Sequence, residues 1–190
     1  MRIVGGRFRG RTLKAPDGLD VRPTQDRVRE ALFNILMHDI ADARFLDLFA
    51  GSGTVGFEAL SRGAGSVTFV EQNPRHISYI EANAKTLGVA PSIVRGDAFR
   101  YVAEYSAAPY DVVFADPPYA LGETQGFSEM LGHAAARDVV RPGGLFIVET
   151  TMRCKLPDAQ EWDLCRDREY GKSRLMVWRR KAGLAPEEGR

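Results

Sequence analysis

Five short apolar runs separated by helical spacing or glycine turns constrain this chain more than any other feature. Phe45–Phe49, Ser66–Glu71, Ser92–Arg95, Asp111–Ala115 and Leu145–Glu149 read as strands. Val28, Ala31, Leu32, Ile35 and Leu36 fall at i, i+3, i+4, i+7 and i+8, which predicts a helix over 24–38 with Thr24 as its N-cap. Helices are also expected over 53–62, from Pro74 to the stop at Gly88, and around 126–140. Arg141-Pro142-Gly143-Gly144 reads as a turn. Segments near 162–168 and 173–180 have no helix between them and predict a terminal hairpin. Strands alternating with helices imply an α/β fold, a parallel sheet covered on both faces.

A chain of 190 residues suits one domain with a real core. That domain is expected over 1–181, with 1–21 as a basic arm or hairpin and 182–190 as a flexible tail. No run approaches the ~20 apolar residues of a membrane span, and the N-terminus has no secretory h-region. The expectation is a cytoplasmic protein with no membrane contact. Cys154 and Cys165 form no C-x-x-C pair, and the three histidines have no ligand spacing, so no metal is expected.

The net charge of +1 conceals two basic segments. Residues 1–14 carry Arg2, Arg7, Arg9, Arg11 and Lys14 with no acid. Residues 166–180 carry six basic side chains against Asp167 and Glu169. Solvated strands explain such segments, and so does a phosphate-contacting face. Under the second reading Arg7, Arg9 and Arg11 contact RNA, with Arg168 and Lys172.

The first strand ends in Gly51-Ser52-Gly53-Thr54-Val55-Gly56, literally G-x-G-x-x-G. Glycines there let a ligand approach a strand-to-helix turn. Glu71, at the end of the second strand, suits ribose hydroxyls. These features fit both NAD and S-adenosylmethionine. Asp47 inside the strand can face a cationic amino-acid group, which a pyrophosphate does not offer. Asp97 follows the third strand, where it can accept from an adenine amine. The candidate cofactor set is Asp47, Gly51, Ser52, Gly53, Glu71, Asp97 and Ala98.

Asp116-Pro117-Pro118-Tyr119 ends the fourth strand. Two prolines remove two backbone donors and stiffen the chain. The Asp116 side chain and the Pro117 carbonyl are acceptors, which fits a donor-rich NH2 group. Tyr119 offers a flat face for a base. The lone pair of an exocyclic base amine is delocalised into its ring. Two acceptors holding its hydrogens out of plane direct that lone pair at an electrophile. These four residues are the catalytic candidates.

Asp116–Tyr119 resembles the D-P-P-Y motif of amino-group methyltransferases acting on nucleic-acid bases, and Asp47–Gly53 resembles their cofactor loop. Arg22-Pro23-Thr24-Gln25-Asp26-Arg27-Val28-Arg29-Glu30-Ala31-Leu32-Phe33-Asn34, Glu58–Ala64 and Tyr170-Gly171-Lys172-Ser173 are similar to bacterial 16S ribosomal RNA guanine-N2 methyltransferases that modify position 966. Thr54–Phe57 departs from the Ala-Leu-Gly-Leu more usual there. The resemblance covers residues 1–180. It implies a Rossmann-like class I S-adenosylmethionine-dependent methyltransferase with a seven-stranded, mostly parallel sheet. The implied order is 3-2-1-4-5-7-6 with strand 7 antiparallel, extended by an N-terminal hairpin. It also places Arg22 and Thr24 near the methionine end of the cofactor. The implied partner is 16S rRNA, free or in the small subunit, with neither DNA nor an obligate protein partner. A DNA or RNA N6-adenine methyltransferase shares the core motifs. An NAD-dependent oxidoreductase leaves Asp116–Tyr119 idle, and an RNA-binding assembly factor leaves the acids idle.

Overall fold

The structure is a computed structural model that describes residues 1–16, 23–118 and 125–182, without the side chains of 23–25 and 125. Arg22, Tyr119, the Thr24 side chain and residues 183–190 of the expected tail therefore lie outside the described residues. The strands are β1 (Arg44–Leu48), β2 (Ser66–Glu71), β3 (Ser92–Arg95), β4 (Tyr110–Ala115), β5 (Val140–Thr151), β6 (Trp162–Tyr170) and β7 (Ser173–Arg180). The helices are α1 (Pro23–Ile35), α2 (Thr54–Ser61), α3 (Pro74–Leu87), α4 (Ala98–Ala103) and α5 (Gln125–Ala136). The sheet runs β3-β2-β1-β4-β5-β7-β6. β7 is antiparallel to β5 and β6, and the other pairings are parallel. This is the expected order.

β1 and β4 lie at the centre, where both faces are covered, so their side chains read as apolar runs rather than alternating ones. One apolar layer joins Phe45, Phe57, Phe69, Phe114 and Ile147 to Leu32, Phe33 and Leu36 on and beyond α1. The other joins Leu46, Leu48, Val113, Phe146 and Val148 to Val102 of α4 and Met130 and Leu131 of α5. Among the described residues no helix is long and apolar enough to cross a membrane.

The N-terminal residues form a hairpin closed by an Arg2–Thr12 bridge, with Gly10 N–H donating to the Ile3 carbonyl at 2.9 Å. Ile3 and Leu13 are core residues, 1% and 2% exposed. The hairpin is thus structural as well as basic. Beneath it Glu58, 0% exposed, accepts from Val4 N–H at 2.9 Å and Arg62 Nε at 2.7 Å, with Arg29 Nε at 3.6 Å. Arg29, 4% exposed, also donates to the Arg2 carbonyl at 2.9 Å and to Asp26 at 2.7 Å. Removing one member of such a pair leaves a buried charge, typically at a cost of about 3–5 kcal/mol.

Several boundaries differ from expectation. α1 starts at Pro23, so Thr24 sits in its first turn and is not its N-cap. Proline at N1 gives up only an N–H that would be unpaired anyway. α1 ends at Ile35 instead of 38, and α5 stops at Ala136, before Asp138 takes φ 51°. Arg141–Gly144 belongs to β5 rather than to a turn, with a register irregularity opposite Tyr110 and Val112. The six-residue α4 is too short to show a period. α3 follows expectation: Pro74 opens it, Asn73 caps it by accepting from Arg75 N–H at 2.9 Å, and Gly88 closes it at φ 68°.

Candidate active site

The acids singled out from sequence lie at the carboxyl ends of β1, β2, β3 and β4, where ligands of open α/β sheets bind. Asp47 is one residue from the end of β1, Glu71 ends β2, Asp97 follows β3 by two residues, and Asp116 directly follows β4.

The glycine loop is held by those acids. Glu71 Oε2 accepts from Gly51 N–H at 2.7 Å, and its Oε1 accepts from Asn73 N–H at 2.8 Å. Asp47 Oδ2 accepts from Gly56 N–H at 2.9 Å, and Gly53 N–H donates to the Ala50 carbonyl at 2.8 Å. The three glycine N–H groups are therefore occupied from within. A pyrophosphate would find none of them free, and would face the carboxylates of Asp47, Glu71 and Asp116. The glycine N–H groups that hold a pyrophosphate in the dinucleotide fingerprint are thus engaged here, which weakens the NAD reading.

The same loop suits a cation-bearing nucleoside. Gly51 has φ +56° with open space where a Cβ would stand. Gly53 has φ +80°, and a Cβ there would lie 2.8 Å from the Phe57 ring. Each Glu71 oxygen accepts one backbone N–H and keeps lone-pair capacity for another donor, as a ribose diol would require. Asp97 caps α4, its Oδ1 accepting from Arg100 N–H at 2.8 Å, while its other oxygen takes part in no hydrogen bond among the described residues. Ala98 begins α4 and is buried. Ser52 lies on the loop, its Oγ 3.2 Å from Thr54 Oγ1.

Electrostatics follow from this crowding. Burial holds Asp47, 2% exposed, well above the usual carboxylate range; the Gly56 N–H opposes this, while Asp116 and Glu71 add to it. Asp116 is exposed as a residue, yet desolvation of its carboxyl is the first cause pushing its pKa up to about 7, with Glu149 repulsion second. Burial raises Glu149 too, against the Ser173 hydroxyl.

Several neighbours of these residues went unread in the sequence. Glu149 comes beside Asp116 only through the pairing of Ala115 with Val148. His76 Nδ1 lies 3.6 Å from Glu71 Oε2. Phe49 takes φ 58°, a left-handed conformation costly for an aromatic residue, and meets Phe99 edge-on at 5.5 Å between centroids. Asn83, 1% exposed, donates to the Ser52 carbonyl at 3.2 Å while bonding both Lys14 backbone groups. None has a periodic or motif signal.

Arg7, Arg9, Arg11, Arg168 and Lys172 are all exposed. α1 lies between the two basic segments: Arg29 bonds the hairpin, and α1 packs against β6 and β7. A cavity of about 710 Å³ opens at the opposite ends of the strands, near Arg44, Ser66, Ser92 and Tyr110. Among the described residues no carboxylate lines it, and none of the acids singled out from sequence lies there.

The fold and the acid-braced loop define the class: Rossmann-like methyltransferases that use S-adenosylmethionine. The chain belongs to the family described as conserved hypothetical protein 95, which matches residues 1–179. It is 37% identical to ribosomal RNA small subunit methyltransferase D of Escherichia coli K12, over 96% of this chain and 91% of that protein. It is 34% identical to the protein of the same name from Haemophilus influenzae, over 90% and 89%. The solved structure of Escherichia coli yhhF superposes with a TM-score of 0.85 at 36% identity, covering 96% of this chain and 98% of that one.

Proposed function

We propose that this protein methylates the exocyclic N2 of a guanine in 16S rRNA, at position 966, in the cytoplasm. The observation that carries the reading is Asp116-Pro117-Pro118 at the end of β4, beside the loop braced by Asp47 and Glu71. The relatives named for small-subunit rRNA methylation support the substrate class.

S-adenosylmethionine, when bound, supplies an electrophilic methyl group on a sulfonium. Asp47 would face its ammonium group, Glu71 would accept from its ribose hydroxyls, Asp97 would accept from its adenine amine, and the family resemblance assigns Arg22 and Thr24 to its methionine end. Gly51, Ser52, Gly53 and Ala98 form the adjoining backbone. The target base leaves its stack to enter the site, which favours an unpaired nucleotide. Tyr119 stacks on it. The Asp116 carboxylate and the Pro117 carbonyl accept the two N2 hydrogens and localise the nitrogen lone pair. The amine becomes acidic as its new N–C bond forms, and Asp116, with a pKa near 7, takes the proton late. Catalysis is then mostly positioning, plus acceptors aimed at developing charge. Arg7, Arg9, Arg11, Arg168 and Lys172 contact phosphates.

The test is to methylate 16S rRNA with the pure protein and digest it to nucleosides. N2-methylguanosine is expected. N6-methyladenosine in its place overturns the base assignment.

A further inference from the structure

Three carboxylates, Asp47, Asp116 and Glu149, gather at the carboxyl edge of the sheet, and the guanine reading employs only two of them. Asp47 pairs with Phe114, and Phe114 pairs with Ile147, so these three point to the same side. Glu149 lies two residues further along β5, and Asp116 directly follows the last residue of β4, at the equivalent position past the Ala115–Val148 pair and close enough for Glu149 to repel it. Adjacent strands stand about 4.8 Å apart, so the two carboxylates are neighbours across the ladder. Ser173, at the start of β7, favours the charged form of Glu149 from the far side. Among the described residues neither Asp116 nor Glu149 has a basic partner within 4 Å.

Two adjacent carboxylates repel, and a hydrogen-bond donor placed before them relieves that repulsion. One acceptor beside Pro117 is enough to hold an amine. The second carboxylate therefore asks for a further donor next to that amine. On the Watson–Crick edge of guanine the group beside N2 is N1–H, a donor. In adenine the ring nitrogen beside the amine is N1, a bare lone pair, which a carboxylate repels. A 2-amino group alone does not distinguish guanine from a purine with an unprotonated N1; a carboxylate facing N1 does.

We propose that Glu149 accepts the N1–H of the target base and is the residue that selects guanine. This rests on the guanine-N2 reading above. Asp116 handles the reacting amine, and Glu149 reads its neighbour. The arrangement assigns β5 a specificity role that no motif in the chain announces.

The experiment uses the full chain and a 16S rRNA fragment carrying guanine or 2-aminopurine at the target position. 2-Aminopurine keeps the N2 amine and presents a lone pair at N1. The wild-type protein is expected to favour guanine by at least about 100-fold in kcat/KM, because a site built to bond a substrate N–H rejects an analogue lacking it. Glu149→Gln keeps the shape and brings an amide N–H that can face the N1 lone pair. It is expected to shrink the preference to about tenfold or less. Glu149→Asp withdraws the carboxylate by one methylene and serves where the glutamine variant does not fold. It is expected to lower the guanine rate while leaving 2-aminopurine nearly unchanged. Equal wild-type rates on the two bases overturn the proposal. So does a guanine preference that survives both substitutions at full strength, since a merely structural Glu149 alters both rates together. Failure of the underlying reading looks different: the wild-type protein then puts no methyl group on guanine N2 at all, either in the fragment or in 16S rRNA assembled into small subunits carrying the same base.

Discussion

The carboxylate of Glu71 and the backbone N–H of Gly51, 20 residues apart, meet at 2.7 Å. One side chain therefore both shapes the cofactor loop and presents acceptors to whatever lies over it. Gly51 has φ +56°, which suits glycine, and the bond from Glu71 helps fix that turn.

Glu71→Ala removes both functions. The expected result is cofactor binding weakened at least about tenfold, since charge-assisted bonds contribute roughly 1.5–3 kcal/mol each. Calorimetry with S-adenosylmethionine checks it. An unchanged Kd in a folded variant removes Glu71 from the site.

Asp116 carries the chemical step in the proposed mechanism, and its pKa of about 7 gives that step a pH signature. The carboxyl must be ionised to accept two ways and to take a proton. Single-turnover rates should rise between pH 6 and pH 8. Asp116→Asn should remove the inflection and lower kcat by on the order of 10² or more, comparable to losing one preorganised polar group. Cofactor affinity should change little. A variant whose pH profile matches the wild type would show the inflection to belong elsewhere.

Strand–helix alternation made the parallel α/β sheet legible, and its order came from the family resemblance carried by the loop, D-P-P-Y and the Arg22–Asn34 stretch. The positions of Asp47, Glu71, Asp97 and Asp116 at strand ends were legible because strand ends are read from apolar runs. Glu149 was not, since its meaning comes from register between β4 and β5, a long-range property. The reading of Thr24 as an N-cap failed because Pro23 is the better first residue of α1. The hairpin's basic residues advertised themselves, whereas its anchors Ile3 and Leu13 are too few to form a pattern.

Those anchors decide how the basic hairpin is tested. Deleting the hairpin would remove two core residues, so Arg7, Arg9 and Arg11 are replaced together by alanine. Each phosphate contact contributes about −0.7 to the slope of log K against log salt on single strands, so the triple variant should flatten it by about 2. Cofactor affinity should be retained. RNA binding with the wild-type salt slope would make the three arginines merely solvated.

Glu58 should matter for stability and not directly for chemistry. It is fully buried between Arg29 and Arg62 and holds Val4 of the hairpin. Glu58→Ala takes the acceptor from Val4 N–H and Arg62 Nε and the facing charge from Arg29 Nε, while Arg29 keeps Asp26; breaking this buried network is expected to cost about 3–5 kcal/mol. For a chain of this length that is a fall in Tm of roughly 10 °C, read by thermal unfolding. A shift below about 2 °C would mean that water or a side-chain rearrangement replaces the pair.

The carboxylate row also predicts how stability depends on pH. Asp47, Asp116 and Glu149 all have raised pKa values in the folded protein, first through burial. Folding then favours their protonated forms. Their contribution is fully present below the unfolded carboxylate range near pH 4 and is lost as pH rises through the folded values, about 7 for Asp116. Asp111 and Asp167 are lowered, with Arg141 and Arg174 as their basic partners, so their contribution is lost only below about pH 4. Between pH 5 and pH 8 the row dominates among these groups, and the ligand-free protein should lose thermal stability as pH rises. Asp116→Asn should flatten that fall. A bound sulfonium and ammonium offset the repulsion among ionised carboxylates, so the rise in Tm on adding S-adenosylmethionine should be larger at pH 8 than at pH 6. Equal ligand-induced shifts at the two pH values would mean that the carboxylate row does not face the cationic end of the cofactor.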